Sequence, residues 1–165
     1  MIPDTKIDGK RLREVAGAFA TGVTVITTQK ADGGIHGITA NSFLSVSLDP
    51  PLVSFCLQND SSLLPLMKKD KIVGISILEA SQKDVSNQFA GLNKKDIEVA
   101  TSLTASGATV IDGALAWYST RVQQIIPAGD HYLVLCAVKE LDRVSVKEGK
   151  PLLYFSGYRT TGELV

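Results

Sequence analysis

The chain carries little with which to do metal or thiol chemistry. It has two cysteines and two histidines in 165 residues. No Cys-x-x-Cys pair or Cys/His ligand spacing occurs, which argues against a zinc site. Cys56 and Cys136 each sit inside an apolar run, VSFCLQ and YLVLCAV, the setting of buried, reduced thiols. Net charge is also missing, with 17 Lys plus Arg against 17 Asp plus Glu. That balance argues against a broad electrostatic footprint for nucleic acid or an anionic membrane. No apolar run reaches membrane-spanning length. The opening MIPDTKIDGKRLREV has no apolar core of a signal peptide, so the expected compartment is the cytoplasm. A Gly-x-Ser-x-Gly nucleophile motif is absent as well.

What remains is an ordinary globular composition, 44% apolar and 21% charged. Its length suits one domain, residues 1–165, large enough to bury a core without disulfides or metals. Leu12, Val15, Ala16 and Phe19 recur at helical spacing behind Asp8, a candidate N-cap. VTVITT, residues 23–28, is β-branched throughout and predicts a strand. Ala31-Asp32-Gly33-Gly34 predicts a hairpin turn into a return strand over 35–39. Further strands are expected over 52–57, entered through Pro50-Pro51, and over 72–78, 114–126, 132–138 and 152–155. Short helices are expected over 61–69 and 81–89, and 93–107 carries no clear signal. Six or seven strands joined by tight turns favour an antiparallel sheet, and closure into a barrel would remove exposed edges. The fold class is mainly β with peripheral helices.

Against that background the segment GITANSFLSVSLDPP, from Gly37 to Pro51, stands out. It places Thr39, Asn41, Ser42, Ser45 and Ser47 within nine residues. Short hydroxyls often do no more than satisfy local backbone groups. They also suit a planar partner with donors and acceptors along one edge, such as an isoalloxazine ring. Neutral hydrogen bonds meet such an edge without burying a charge. A second polar group, Asn59-Asp60-Ser61-Ser62, precedes the expected helix over 61–69. It reads either as simple capping or as an anion site built from N–H groups and the helix dipole. His131, in GDHYLVL, is a third candidate, although a lone histidine is more often structural. YFSGYR, residues 154–159, offers rings and Arg159 to a planar or anionic ligand, or packs as an ordinary end-strand cluster.

FATGVTVITT, GITANSFLSVSLDPPLVSFCL, NDSS, NQFAG, GDHYLVL and PLLYFSGYR occur in this order. Together they resemble the short-chain flavin reductase family, whose members supply reduced flavin to two-component monooxygenases. The resemblance runs from about Phe19 to Arg159. It implies an antiparallel FMN-binding split β-barrel, a homodimer, and hydride transfer from NADH or NADPH to FMN or FAD. It implies that Thr39, Ala40, Asn41, Ser42 and Phe43 line the flavin ring, with Ser45, Val46 and Ser47 adjoining. Asn59, Ser61 and Ser62 match positions near the phosphate, as do Phe89 and Ala90. His131 resembles the family residue beside the nicotinamide, and Tyr154 to Tyr158 the segment covering the dinucleotide. The chain departs from the family after QFAG. Many relatives carry Lys or Arg followed by Phe there, where this chain has LNKKDIEVA. It also has Cys136-Ala137 where Gly-Glu is common. Two other readings stay open: a flavin-binding electron carrier without efficient nicotinamide oxidation, and a non-enzymatic interaction barrel.

Overall fold

The computed structural model describes residues 7–143 and 149–161. In chain order, α1 spans Gly9–Ala16, β1 Thr21–Gly22, β2 Thr24–Gln29, β3 Ile35–Ala40, β4 Leu44–Leu48, β5 Pro51–Gln58 and β6 Ile72–Ile77. There follow α2 Lys83–Phe89, β7 Thr101–Leu103, β8 Thr109–Ile111, β9 Ala116–Ala128, β10 His131–Arg143, β11 Leu152–Tyr154 and β12 Tyr158–Thr160. The main sheet has seven antiparallel strands in the order β3-β2-β6-β9-β10-β5-β4. Strands β1-β11-β12 and β7-β8 form two smaller sheets. The mainly β, antiparallel class read from the sequence is the one observed.

The sheet has two cores because β2 is buried on both faces. Thr24 through Thr28 are all at most 2% exposed, which is why this run shows no polar alternation. Ile26 joins Phe55, Leu57, Ile75 and Val134 in one core. Val23 and Val25 join Leu78, Ile111 and Leu152 in the other. Burial of three threonines is tolerated because each hydroxyl donates to a carbonyl. Thr24 donates to Ala40 at 2.7 Å, Thr28 to Ile72 at 2.7 Å and Thr27 to Thr109.

Several boundaries differ from expectation for local reasons. The helix expected over 61–69 is only a 3-10 turn, Leu64–Leu66, with Pro65 at its start. Its LLPL run is spent on packing, since Leu63 is fully buried. The polar stretch after β3 contains a strand, β4, whose LSVSL run alternates apolar and polar residues. Asp49–Pro50 is a cis peptide, and Pro51 begins β5. Asp8 caps α1, accepting from Lys10 N, but the helix buries none of its residues: Leu12 and Val15 are both exposed. Cys136 is buried as expected, whereas Cys56 is only half-buried; both thiols are free. Strands β9 and β10 meet at Gly129, whose φ of 69° is one that glycine adopts without a Cβ penalty.

Gly74 on β6 is the tightest point of the double core. A Cβ there would collide with the Thr109 carbonyl and lie 2.6 Å from the Thr27 hydroxyl. Gly74→Ala is expected to cost about 3 kcal/mol by overpacking, read as a lower urea midpoint with an unchanged slope.

Candidate functional site

The edge strands of the main sheet, β3 and β4, are consecutive in the chain and joined by residues 41–43, yet no ladder pairs them. Strand β4 covers β5 only as far as the Leu44–Ser54 pair. From Phe55 to Gln58, therefore, β5 is paired on its β10 side alone. The barrel is split between the outer edge of β3 and this bare end of β5, and edges of this kind leave backbone donors and acceptors unpaired. The Ser42 hydroxyl fills part of the gap: it accepts from Cys56 N at 3.0 Å and donates to Cys56 O at 3.3 Å.

A cavity of about 990 Å³ lies along the split. One wall is β3 from Ile35 to Ala40, continued by Asn41 and Ser42. The opposite wall is Cys56, Leu57 and Gln58, followed by Asp60, Ser61 and Ser62, with His131 beside them. The end of α2 closes a third side with Gln88, Phe89, Ala90 and Gly91, and Ile97, Val99 and Thr101 complete it. Phe89 packs against Gly37 so closely that a Cβ on Gly37 would stand 3.0 Å from the ring and 2.8 Å from Ile26 O. The α2–β3 contact is fixed by the Thr39 hydroxyl, which donates to Ser86 O at 2.6 Å.

The structure thus brings Thr39, Ala40, Asn41, Ser42, Ser61, Ser62, Phe89, Ala90 and His131 to one cavity. The other candidates lie elsewhere. Phe43 packs on Tyr118, ring centroids 5.4 Å apart, and lines a neighbouring cavity with Phe19 and Ile77. Ser45, Val46 and Ser47 belong to β4, beyond the split. Asn59 adjoins the wall, and its N–H is used on Asp130 O at 3.0 Å. Tyr158 stands one residue behind the wall, its hydroxyl 3.0 Å from that of Ser86. Tyr154 packs edge-on against Tyr158. The helix-dipole reading of Ser61 and Ser62 falls with the helix; Ser61 caps only its own turn, accepting from Leu63 N at 3.3 Å. Sequence reasoning missed His36, Gln58 and Gln88, because their signal is strand edge and helix end rather than motif.

The described lining is mostly uncharged, with one acidic side chain, Asp60, two histidines, and no Lys or Arg. Lys94 and Lys95, which follow QFAG, lie outside that lining. His131 Nδ1 is 2.7 Å from the Asp130 carboxylate. That bond, with the charge of the ring when protonated, holds the Asp130 carboxyl below the usual carboxylate range. Burial pushes the Cys56 thiol up, and pushes Cys136 to about 12. Among the described residues no group of three His, Cys, Asp or Glu could hold a metal ion, and no helix is long and apolar enough to cross a membrane.

A cavity of this size, with hydrogen-bonding edges and no charge-dense donor set, suits an organic cofactor. The profile of the flavin reductase like domain matches residues 16–162. The chain belongs to that family. An NADH-dependent flavin reductase of Rhodococcus is 35% identical over 98% of this chain and 91% of its own. A probable flavin reductase of Rhizobium meliloti is 43% identical over 78% of this chain, but the match spans only 42% of that relative's length. Among solved structures, a Streptomyces globisporus NADH:FAD oxidoreductase in complex with NAD and FAD fragments superposes with a TM-score of 0.84. It is 32% identical, covering 96% of this chain and 98% of its own. A flavin reductase in its native state superposes with a TM-score of 0.89 at 39% identity, covering 95% and 100%. The flavin reductase resemblance and the oxidoreductase class that it implied are borne out.

Removing the Ser42 hydroxyl strands the Cys56 N–H and C=O at the bare edge. Ser42→Ala is expected to cost about 1–2 kcal/mol and to weaken flavin binding, measured by urea unfolding and by quenching of flavin fluorescence.

Proposed function

We propose that this chain, as a single domain over 1–165, is an NADH-dependent flavin reductase that reduces FMN or FAD and passes the reduced flavin to a monooxygenase component. The observation that carries the reading is the split-barrel cavity, walled by backbone edges and mostly uncharged polar side chains, in a chain similar along nearly its whole length to an NADH:FAD oxidoreductase. The donor set fits a flavin. The β3 edge and Asn41 present amide groups to a ring edge, while Gln58, Ser61 and Ser62 offer neutral donors farther along. NADH is favoured as donor over NADPH by the names of relatives, and among the described lining residues no Arg or Lys awaits a 2′-phosphate. Asn59, adjoining the wall, would position the loop that carries Ser61 and Ser62. Phe43, Ser45, Val46, Ser47, Tyr154 and Tyr158 would act through the frame rather than on the ligand.

The chemistry that a bound flavin supplies is acceptance of a hydride at its N5 from a nicotinamide C4 about 3–3.5 Å away. The chain's residues contribute placement. Backbone dipoles along β3 would stabilise negative charge building on a reduced pyrimidine edge, where a carboxylate would oppose it. His131 is held in orientation by Asp130 at 2.7 Å and would position a nicotinamide carboxamide at the cavity mouth. Phe89 and the end of α2 exclude water from that side. Exposed apolar side chains on α1 and β4, with Leu48 90% exposed and Leu44 61%, support a homodimer, checked by light scattering after gel filtration. The cytoplasm is the proposed compartment, where the two free thiols stay reduced.

Anaerobic mixing of the protein with flavin and NADH should bleach the visible flavin band at a protein-dependent rate. His131→Ala should slow that bleaching by about tenfold or more and leave flavin affinity within about twofold. Retained flavin without bleaching would favour an electron carrier, and no binding of flavin would leave an interaction barrel.

A further inference from the structure

A flavin nucleotide carries a phosphate, and the described wall of the cavity contains no Lys or Arg to meet it. Two histidines are the only side chains in that wall able to carry positive charge. His131 already faces a carboxylate at 2.7 Å. His36 does not: its Nε2 is 2.9 Å from the Ser62 hydroxyl. That contact bridges β3 to the segment after β5 across the split. The other titratable groups facing this space are Asp60 beside Ser62 and Cys56 on β5. Asp60 is an anion, and Cys56 is kept protonated by burial. The α2 end contributes Gln88 and Phe89 and no charge. Thr28 faces His36 across the β2–β3 pair, and Lys30 in the adjoining turn lies 3.7 Å from Asp32.

Length along β3 gives the direction. His36 and Asn41 lie five residues apart, the latter just past the strand end, so extended backbone separates them by ~16 Å. That distance is comparable to the reach of a flavin nucleotide from its pyrimidine edge to its phosphate. With the ring edge at Thr39–Ser42, the phosphate falls at the His36–Ser62 end. We propose that His36, paired with Ser62, is the charge-supplying phosphate contact of this cavity, so that flavin nucleotide affinity rises as pH falls. The proposal rests on the flavin reading above. Histidine is the side chain whose charge changes between pH 5 and 8. An imidazolium held by the Ser62 oxygen can donate its other N–H to a phosphate oxygen in a charge-assisted hydrogen bond. The neutral ring lacks that attraction. The sign is therefore fixed: phosphate binding takes up a proton, and affinity falls as pH rises.

The test compares FAD, whose pyrophosphate keeps its charge in this range, with riboflavin, which has no phosphate. Both are titrated against the full chain by fluorescence from about pH 8 to about pH 5.5. The ratio of FAD to riboflavin affinity should rise about tenfold as pH falls. In His36→Gln, which keeps a hydrogen-bonding group toward Ser62 without charge, the ratio should be flat. Riboflavin affinity within about twofold of the parent reports an intact cavity in that variant. His36→Arg should give a high ratio at every pH. A flat ratio in the parent protein, a rise that survives in His36→Gln, or a low ratio in His36→Arg overturns the assignment. Failure of the parent to bind riboflavin overturns the flavin reading itself, and this inference with it.

Discussion

Everything at the site depends on one unmet demand for backbone pairing. Two strands that would close the barrel, β3 and the far end of β5, face each other without a ladder. Peptide groups at such an edge need partners, so the gap is filled by more chain, by water or by a ligand. The protein fills one step of it with Ser42 and leaves the rest. A cofactor with alternating donors and acceptors along one edge is the natural counterpart of a strand edge. It offers a sheet-like hydrogen-bond pattern in a single rigid piece. The residue types follow from this: the wall needs spacing and dipoles more than acids, bases or metals.

The frame around the gap is correspondingly rigid. Strand β2 is clamped between two cores, and its threonines are tied to carbonyls on neighbouring strands. It holds β3 in register over six residue pairs. A 3-10 turn, Ala80–Gln82, leads directly into α2 and is closed by a Glu79–Gln82 capping box. At the centre of α2, Ser86 links Thr39 on one side to Tyr158 on the other. Strand β12 is thus linked to the cavity wall through Ser86, whose carbonyl accepts from Thr39 and whose hydroxyl meets that of Tyr158. Positioning catalysis needs a wall held in place, and these hydrogen bonds tie β3 and α2 to the frame behind them.

How much of this the sequence discloses depends on the length scale of the signal. The β-branched run at 23–28, the Asp32-Gly33-Gly34 turn and the long strands around Gly129-Asp130 are local patterns, and the structure has them. Thr39, Asn41, Ser42 and His131 were legible as candidates because a polar cluster beside apolar runs is itself a local pattern. Phe43, Ser45, Val46 and Ser47 belong to the same cluster, but the chain turns between Asn41 and Leu44 and carries them past the split. Serines before and lysines after the apolar run predict a helix over 61–69, whereas Leu63 is drawn into the core and Pro65 limits the turn. His36 and Gln88 reach the cavity through strand pairing and helix packing, which no short window of sequence contains.

The half-buried Cys56 in the cavity wall bears on durability. Reduced flavin that meets oxygen before reaching its acceptor yields peroxide, so any thiol lining such a site lives beside an oxidant. Peroxide attacks thiolates, and susceptibility follows thiolate character. Burial raises the Cys56 pKa, and its backbone N–H and C=O are occupied by Ser42. Burial thereby disfavours the thiolate, the form that peroxide attacks. The same partial burial that shapes the wall also lowers the thiolate fraction of the cysteine that lines it.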